Sequence, residues 1–154
     1  MQDIRLRSLI LLVIISIVLI IDYLSKKSIE ALDQTTILNS FITLYKVNNP
    51  GVAFSFFDTL DNQGLLILNL IIMSILIIVM RELYLNMKKS LLYTIGLSMI
   101  FAGGLGNLID RFDDQSVTDF ISIHIGDIYF PAIFNLADVS ISFGALLIII
   151  YFIS

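Results

Sequence analysis

Four apolar stretches divide this chain, and each is long enough to cross about 30 Å of hydrocarbon as a helix. They run over about residues 8–24, 64–80, 91–109 and 134–153. In lipid, every backbone N–H and C=O must be satisfied without water. The stretches therefore predict four transmembrane helices in a single integral membrane domain. Composition agrees: 58% of residues are hydrophobic, 14% are charged, and the mean hydropathy is +0.96. A soluble domain carries about 25% charged residues, so this chain has too few to cover a water-facing surface. The net charge of -4 argues against a nucleic-acid partner. The absence of cysteine removes disulfides, thiolate metal sites and thiol nucleophiles. The first stretch follows Arg5 and Arg7, as a secretion signal would. Its end, Ile21-Asp22-Tyr23-Leu24-Ser25-Lys26-Lys27, has no small-x-small cleavage pattern. It reads as a retained span.

Basic residues set the expected orientation. Arg5 and Arg7 precede the first span, and Arg81, Lys88 and Lys89 crowd the link between the second and third. Residues 110–133 hold Arg111 against Asp110, Asp113, Asp114, Asp119 and Asp127. Both termini and the middle link are therefore expected in the cytoplasm, with residues 25–63 and 110–133 outside. Lys26, Lys27 and Lys46 weaken the contrast without reversing it.

The outer segments carry strand signals. Thr35 to Val47 is rich in β-branched and aromatic residues, with Phe41, Thr43, Tyr45 and Val47 on one alternating face. Asn48-Asn49-Pro50-Gly51 then reads as a turn. Val117 to Ile125 alternates as well, and Gly126-Asp127 turns it back along Ile128-Tyr129-Phe130. A small extracytoplasmic β-sheet above four helices is the expected fold.

Placing a carboxylate in a membrane span costs roughly 2.5–3.5 kcal/mol on insertion scales, so such a residue is read first as functional. Asp138 lies about one turn inside the fourth span, and Asn135 shares its helix face. Pairing Ile125 with Ile128 and extending that register sets Asp119 opposite Phe134. Asp138 is then one helical turn further on, about 6 Å along the axis. Two carboxyls sharing a site cannot both ionise comfortably, so the pair retains one proton. That is the requirement for aspartic hydrolysis: one acid activates water and the other donates to the carbonyl. A solvated loop acid is the other reading of Asp119, and an interhelical hydrogen bond that of Asp138. In Gly103-Gly104-Leu105-Gly106-Asn107-Leu108-Ile109-Asp110-Arg111 the glycines permit close helix or substrate approach. Asn107, Asp110 and Arg111 set three polar groups at a membrane edge, where Arg111 either orients an acid or anchors at headgroups. Asp22 ends the first span on the same side. His124 has no strong ligand near it, so no metal site is expected. A Ser-His-Asp arrangement would rest on this one strand residue.

Taken together, these residues resemble the lipoprotein (type II) signal peptidases. The resemblance covers Asp22, Asn49-Pro50-Gly51-Val52-Ala53-Phe54, the glycine-rich run to Arg111, Val117-Thr118-Asp119-Phe120 and Phe134-Asn135-Leu136-Ala137-Asp138. Five motifs in family order on four spans are specific. Thr118 stands where valine is common, and no basic residue follows the last span. The resemblance implies an aspartic endopeptidase of the bacterial plasma (inner) membrane, needing no cofactor. Its substrate would be a prolipoprotein carrying diacylglycerol, cleaved just before the lipidated cysteine. The catalytic pair would be Asp119 and Asp138, and Asp22, Asn49, Gly51, Gly106, Asn107, Arg111 and Asn135 would bind and position substrate. Membrane lipids and a globomycin-type cyclic peptide inhibitor are further expected partners. The segment from Asn48 to Phe57 is expected to close over a site near the extracytoplasmic face. Two other classes remain: an ion or proton transporter relaying through Asp22, Asp110 and Asp138, and a non-catalytic assembly factor. The acids cluster on one side, which disfavours a relay.

Overall fold

A computed structural model describes residues 2–30, 35–51 and 61–154. In chain order the elements are α1 (Gln2–Glu30), β1 (Thr36–Ile37), β2 (Ile42–Asn49), α2 (Asn62–Leu85), α3 (Leu91–Asp114), β3 (Val117–Ile125), β4 (Ile128–Tyr129) and α4 (Leu136–Ile153). All four helices are long and apolar enough to span a membrane. Helices α1, α2 and α3 contain their expected spans and run on past them, α1 as far as Glu30, whereas α4 begins at Leu136, two residues inside the expected 134–153. Val52, Ala53 and Phe54, and the expected closing segment up to Phe57, lie outside the described residues.

The helices run antiparallel in sequence, with α3 at the centre. Over half of the most apolar window of α3 is buried (56%), against 6% for α1, 6% for α2 and 17% for α4. Helix α3 packs against all three others, most extensively α4, while α2 packs on α3 and stands off from α4. Small residues allow the α3–α4 approach. A Cβ built on Gly96 would lie 2.7 Å from the Gly144 carbonyl oxygen, and one on Gly144 2.5 Å from the Gly96 oxygen. At the other end of the pair, Gly103 lies against the Ala137 carbonyl. Away from the sheet, Leu11, Leu83, Tyr93 and Leu97 form a buried cluster, and the Tyr93 hydroxyl donates to Glu82 Oε1 at 2.8 Å.

The sheet has the order β1-β2-β3-β4, with antiparallel neighbours. Ile125 pairs with Ile128 across the turn at Gly126, whose φ of +59° suits glycine. Beyond the turn the register departs from the sequence expectation. The Phe130 N–H donates to Ile123, but Phe134 pairs with Ile121, not with Asp119. The ladder stops after Phe130, and two extra residues before Phe134 bow the chain out over 131–133. The slip is even, so Asp119 keeps its face of the sheet.

A second departure lies in β2. Leu44 pairs with Ile121 but Val47 pairs with Asp119, so β2 carries one extra residue. This bulge breaks the single alternating face expected for Phe41 to Val47. Thr43 sides with Ser122, whereas Val47 and Asn49 side with Asp119 and Val117. Asn48 and Asn49 are accordingly strand residues paired with Thr118 and Val117, rather than turn residues.

The entry into α4 is set by a capping box. Asn135 Oδ1 accepts from the Asp138 N–H at 2.9 Å, and Asp138 Oδ2 accepts from the Asn135 N–H at 3.2 Å. Gly103 and Gly104 test how tightly that entry is held. A Cβ on Gly103 meets the Ala137 backbone, whereas one on Gly104 meets the flexible end of Leu76, at 2.7 Å. Gly103→Ala is therefore expected to lower stability by about 1–3 kcal/mol, as overpacking does, and Gly104→Ala by clearly less. Thermal unfolding of both variants in detergent micelles checks the order.

Candidate active site

The site forms where the sheet meets the helix ends. Strand β3 delivers Asp119, the first turn of α4 delivers Asp138, and Asn135 joins them. Asn135 Nδ2 donates to Asp119 Oδ1 at 2.7 Å, while its Oδ1 caps the Asp138 N–H. Asn135 is fully buried, and Asp119 is 4% exposed. Asn49, turned to this face by the β2 bulge, donates to Asp119 Oδ2 at 2.9 Å. From α3, Asn107 Nδ2 donates to Asp138 Oδ1 at 2.8 Å, and Asn107 Oδ1 accepts from Asn135 Nδ2 at 3.1 Å.

Asp119 and Asp138 line one cavity of about 750 Å³, together with Asn49, Asn107 and Arg111. Beyond the acids the lining is apolar, with Ile72 of α2 and Val139, Phe143 and Leu146 of α4. Val139, Phe143 and Leu146 are also partly open on the outer surface of the helices, so the cavity opens sideways between α2 and α4. Arg111 is buried, donating to the Asn107 carbonyl at 3.2 Å and to the Gly51 carbonyl.

Some residues expected at the site do not reach this cavity. Asp22 is buried beneath it, and its Oδ1 accepts from the Ala137 N–H at 2.9 Å at the start of α4. Gly106 makes room for it, since a Cβ there would lie 2.9 Å from Asp22 Oδ2. Gly51 contributes its carbonyl to Arg111. His124 sits on the opposite face of β3, 3.0 Å from Thr43 Oγ1 and stacked on Tyr129.

Sequence reasoning missed Lys26. Counted there as an outer-segment charge, it is 4% exposed inside the helix bundle. Its Nζ lies 2.6 Å from Asp22 Oδ2, 2.8 Å from Asp110 Oδ2 and 3.1 Å from Asn107 Oδ1. The available signal was the i,i+4 spacing of Asp22 and Lys26 at the end of an apolar run.

Comparison with known proteins bears on this arrangement. The model of the signal peptidase (SPase) II family matches residues 14–154. The chain belongs to the signal peptidase II family. It is 42% identical to the lipoprotein signal peptidase of Bartonella henselae over 77% of this chain and 71% of that one. It is 35% identical to that of Clostridium tetani, over 92% of this chain and 91% of the relative. For Aquifex aeolicus the identity is 39%, over 88% and 81%. A bacterial membrane enzyme solved by the in meso method at 2.3 Å resolution superposes with a TM-score of 0.74 at 28% identity, covering 93% of this chain and 87% of that one. Signal peptidases II are aspartic peptidases that remove the signal peptide from prolipoproteins, and this chain shares their fold: four membrane-spanning helices with a small antiparallel sheet.

Burial pushes the Asp119 carboxyl up from its ordinary 3.8 to about 6; the Asp138 charge adds to the rise, and the Asn49 and Asn135 hydrogen bonds oppose it. The folded protein thus takes up a proton on Asp119 as pH falls through about 6, and the unfolded chain only near 3.8. The folded state binds more protons in that window, so the penalty of the buried charge is full above it and relieved as pH falls. Asp119→Asn lacks this titration. The melting temperature of the variant minus that of the wild type is expected to be larger at pH 8 than at pH 5. A difference independent of pH would mean that Asp119 titrates as a solvated acid.

Proposed function

We propose that Asp119 and Asp138 are the catalytic pair of this peptidase, acting on diacylglyceryl-modified prolipoproteins and cleaving just before the lipidated cysteine. The observation that carries this reading is the Asn135 side chain, hydrogen-bonded to both acids where they face one cavity. The two acids share one proton. The ionised partner takes a proton from a water that adds to the scissile carbonyl carbon, and the protonated partner gives its proton to the carbonyl oxygen. As the tetrahedral intermediate collapses, a proton passes to the departing amide nitrogen and the C–N bond breaks. The pair is left with one proton, as it began.

The shape of the cavity suits such a substrate. A signal peptide is itself an apolar helix, and the gap between α2 and α4 admits it sideways from the bilayer. From Asp138 to Leu146 the apolar wall extends about 12 Å along α4 at 1.5 Å per residue. Acyl chains on the cysteine stay in the lipid. Asn49, Asn107 and Arg111 line the polar end, where the substrate backbone passes. Asp22, Gly51, Gly106 and Asn135 serve the site indirectly, by holding the groups that line it. A globomycin-type cyclic peptide would compete for the same cavity.

The distribution of basic residues favours both termini in the cytoplasm of a bacterial plasma membrane, with the sheet and the acids at the outer face. The short α2–α3 link, at the end of the bundle remote from the sheet, carries Lys88 and Lys89, and Arg7 reaches the Lys89 carbonyl there.

Asp119→Asn and Asp138→Asn are each expected to lower turnover of a lipidated prolipoprotein by at least about 10²-fold, the scale of a lost general acid or base. Membrane insertion should be unchanged. The measurement is gel-resolved cleavage by purified protein, with and without globomycin. Robust, inhibitor-sensitive turnover by either variant removes that residue from the pair.

A further inference from the structure

We propose that Lys26 is a positioning residue for cleavage, locking the Asn107 side-chain amide with its NH₂ group turned towards Asp138. The proposal rests on the reading of Asp119 and Asp138 as the catalytic pair. Lys26 touches neither acid and does not line the cavity.

An asparagine amide has an acceptor and a donor end of nearly the same shape, so its neighbours decide which way it points. Asn107 Oδ1 receives two donors, Lys26 Nζ at 3.1 Å and Asn135 Nδ2 at 3.1 Å. Its Nδ2 is then left to donate to Asp138 Oδ1, at 2.8 Å. Turned over, the amide would set its NH₂ group against an ammonium, which has three donors and no acceptor. It would also set Oδ1 against the Asp138 carboxyl. Asn135 cannot compensate by turning, because its Nδ2 is engaged with Asp119 and its Oδ1 with the Asp138 N–H.

The consequence falls on Asp138. With Asn107 donating to Oδ1 and the Asn135 N–H donating to Oδ2, both carboxyl oxygens face donors. Those two bonds fix the orientation of the carboxyl in the cavity it lines. Lys26 is itself held in place by Asp22 at 2.6 Å and Asp110 at 2.8 Å, so α1 and α3 together fix the ammonium. A role in packing alone is poorly served by a buried ion group, since apolar residues of similar volume often stabilise as well or better.

Lys26→Met alone removes the cation between the buried Asp22 and the half-buried Asp110, so it is paired with Asp110→Asn, which keeps the net charge of the group. In protein labelled with ¹⁵N-asparagine in micelles, the Asn107 side-chain signal is identified by its loss in Asn107→Ala. In Lys26→Met/Asp110→Asn that signal is expected to shift, with amide hydrogen exchange faster by about tenfold or more, as for a lost local restraint. A signal unchanged from Asp110→Asn overturns the proposal. Kinetically, adding Lys26→Met to Asp110→Asn should lower kcat by up to about 10²-fold, the scale of a misplaced catalytic group, with KM nearly constant. In an Asn107→Ala background the same change should lower kcat no further, because coupled residues are not additive. Equal fractional losses in both backgrounds, or an unchanged kcat, reduce Lys26 to a structural ion pair. The resonance readout needs no turnover, so it stands even if Asp138→Asn proves active and the catalytic reading fails.

Discussion

The structure depends on a set of buried polar groups that must satisfy one another where water is scarce. An unpaired polar group in an apolar setting costs about 1–3 kcal/mol by mutational measure, and a charged one more. Asn135 is the centre of that set. Its backbone and side chain together engage Asp138, Asp119 and Asn107, while also starting α4. One residue thus ties a strand of the sheet to the ends of two helices. The capping function and the site geometry are the same bonds, so the entry angle of α4 cannot change without moving both acids.

Two irregularities in the sheet supply what regular strands would not. Without the extra residue in β2, Asn49 would project from the face opposite Asp119, and Asp119 Oδ2 would lose its donor. Without the bow at Pro131, Phe134 would sit opposite Asp119 and the chain would reach α4 further along β3. The bow lets Phe134 pair with Ile121, which leaves Asn135 level with Asp119. Bulges are common beside active sites because they re-aim a side chain at little cost to the sheet. Both serve that end here.

These features explain what could be read from the sequence. The spans were legible because the length and apolarity of a membrane helix are one-dimensional properties. Asp138 was legible as a candidate because a carboxylate inside such a span is costly to place. The face of Asp119 was legible despite a wrong register, since an even slip preserves the side to which a strand residue points. Asn49 was placed in a turn because Pro50-Gly51 follow it, and the bulge that turns it towards Asp119 has no glycine or proline to mark it. Lys26 was hidden for a different reason. Counting lysines to orient the helices treats each as a solvated charge, whereas this one is neutralised by Asp22 within a turn of its own helix and by Asp110 from α3.

The placement of the small residues follows from the same economy. Where α3 meets α4, glycines bring the backbones together, and that closeness carries Asn107 to within 2.8 Å of Asp138. Where α2 meets α4 there is no such seam, and the space becomes the apolar cavity. The cavity has one close-packed wall, α3 with α4, bearing Asn107, Arg111 and Asp138, and opposite it α2, whose main contact among the described helices is α3. On the proposed function, Asp138 is held by the close-packed pair and Asp119 by the adjoining strand, and access falls to the helix with the fewest attachments.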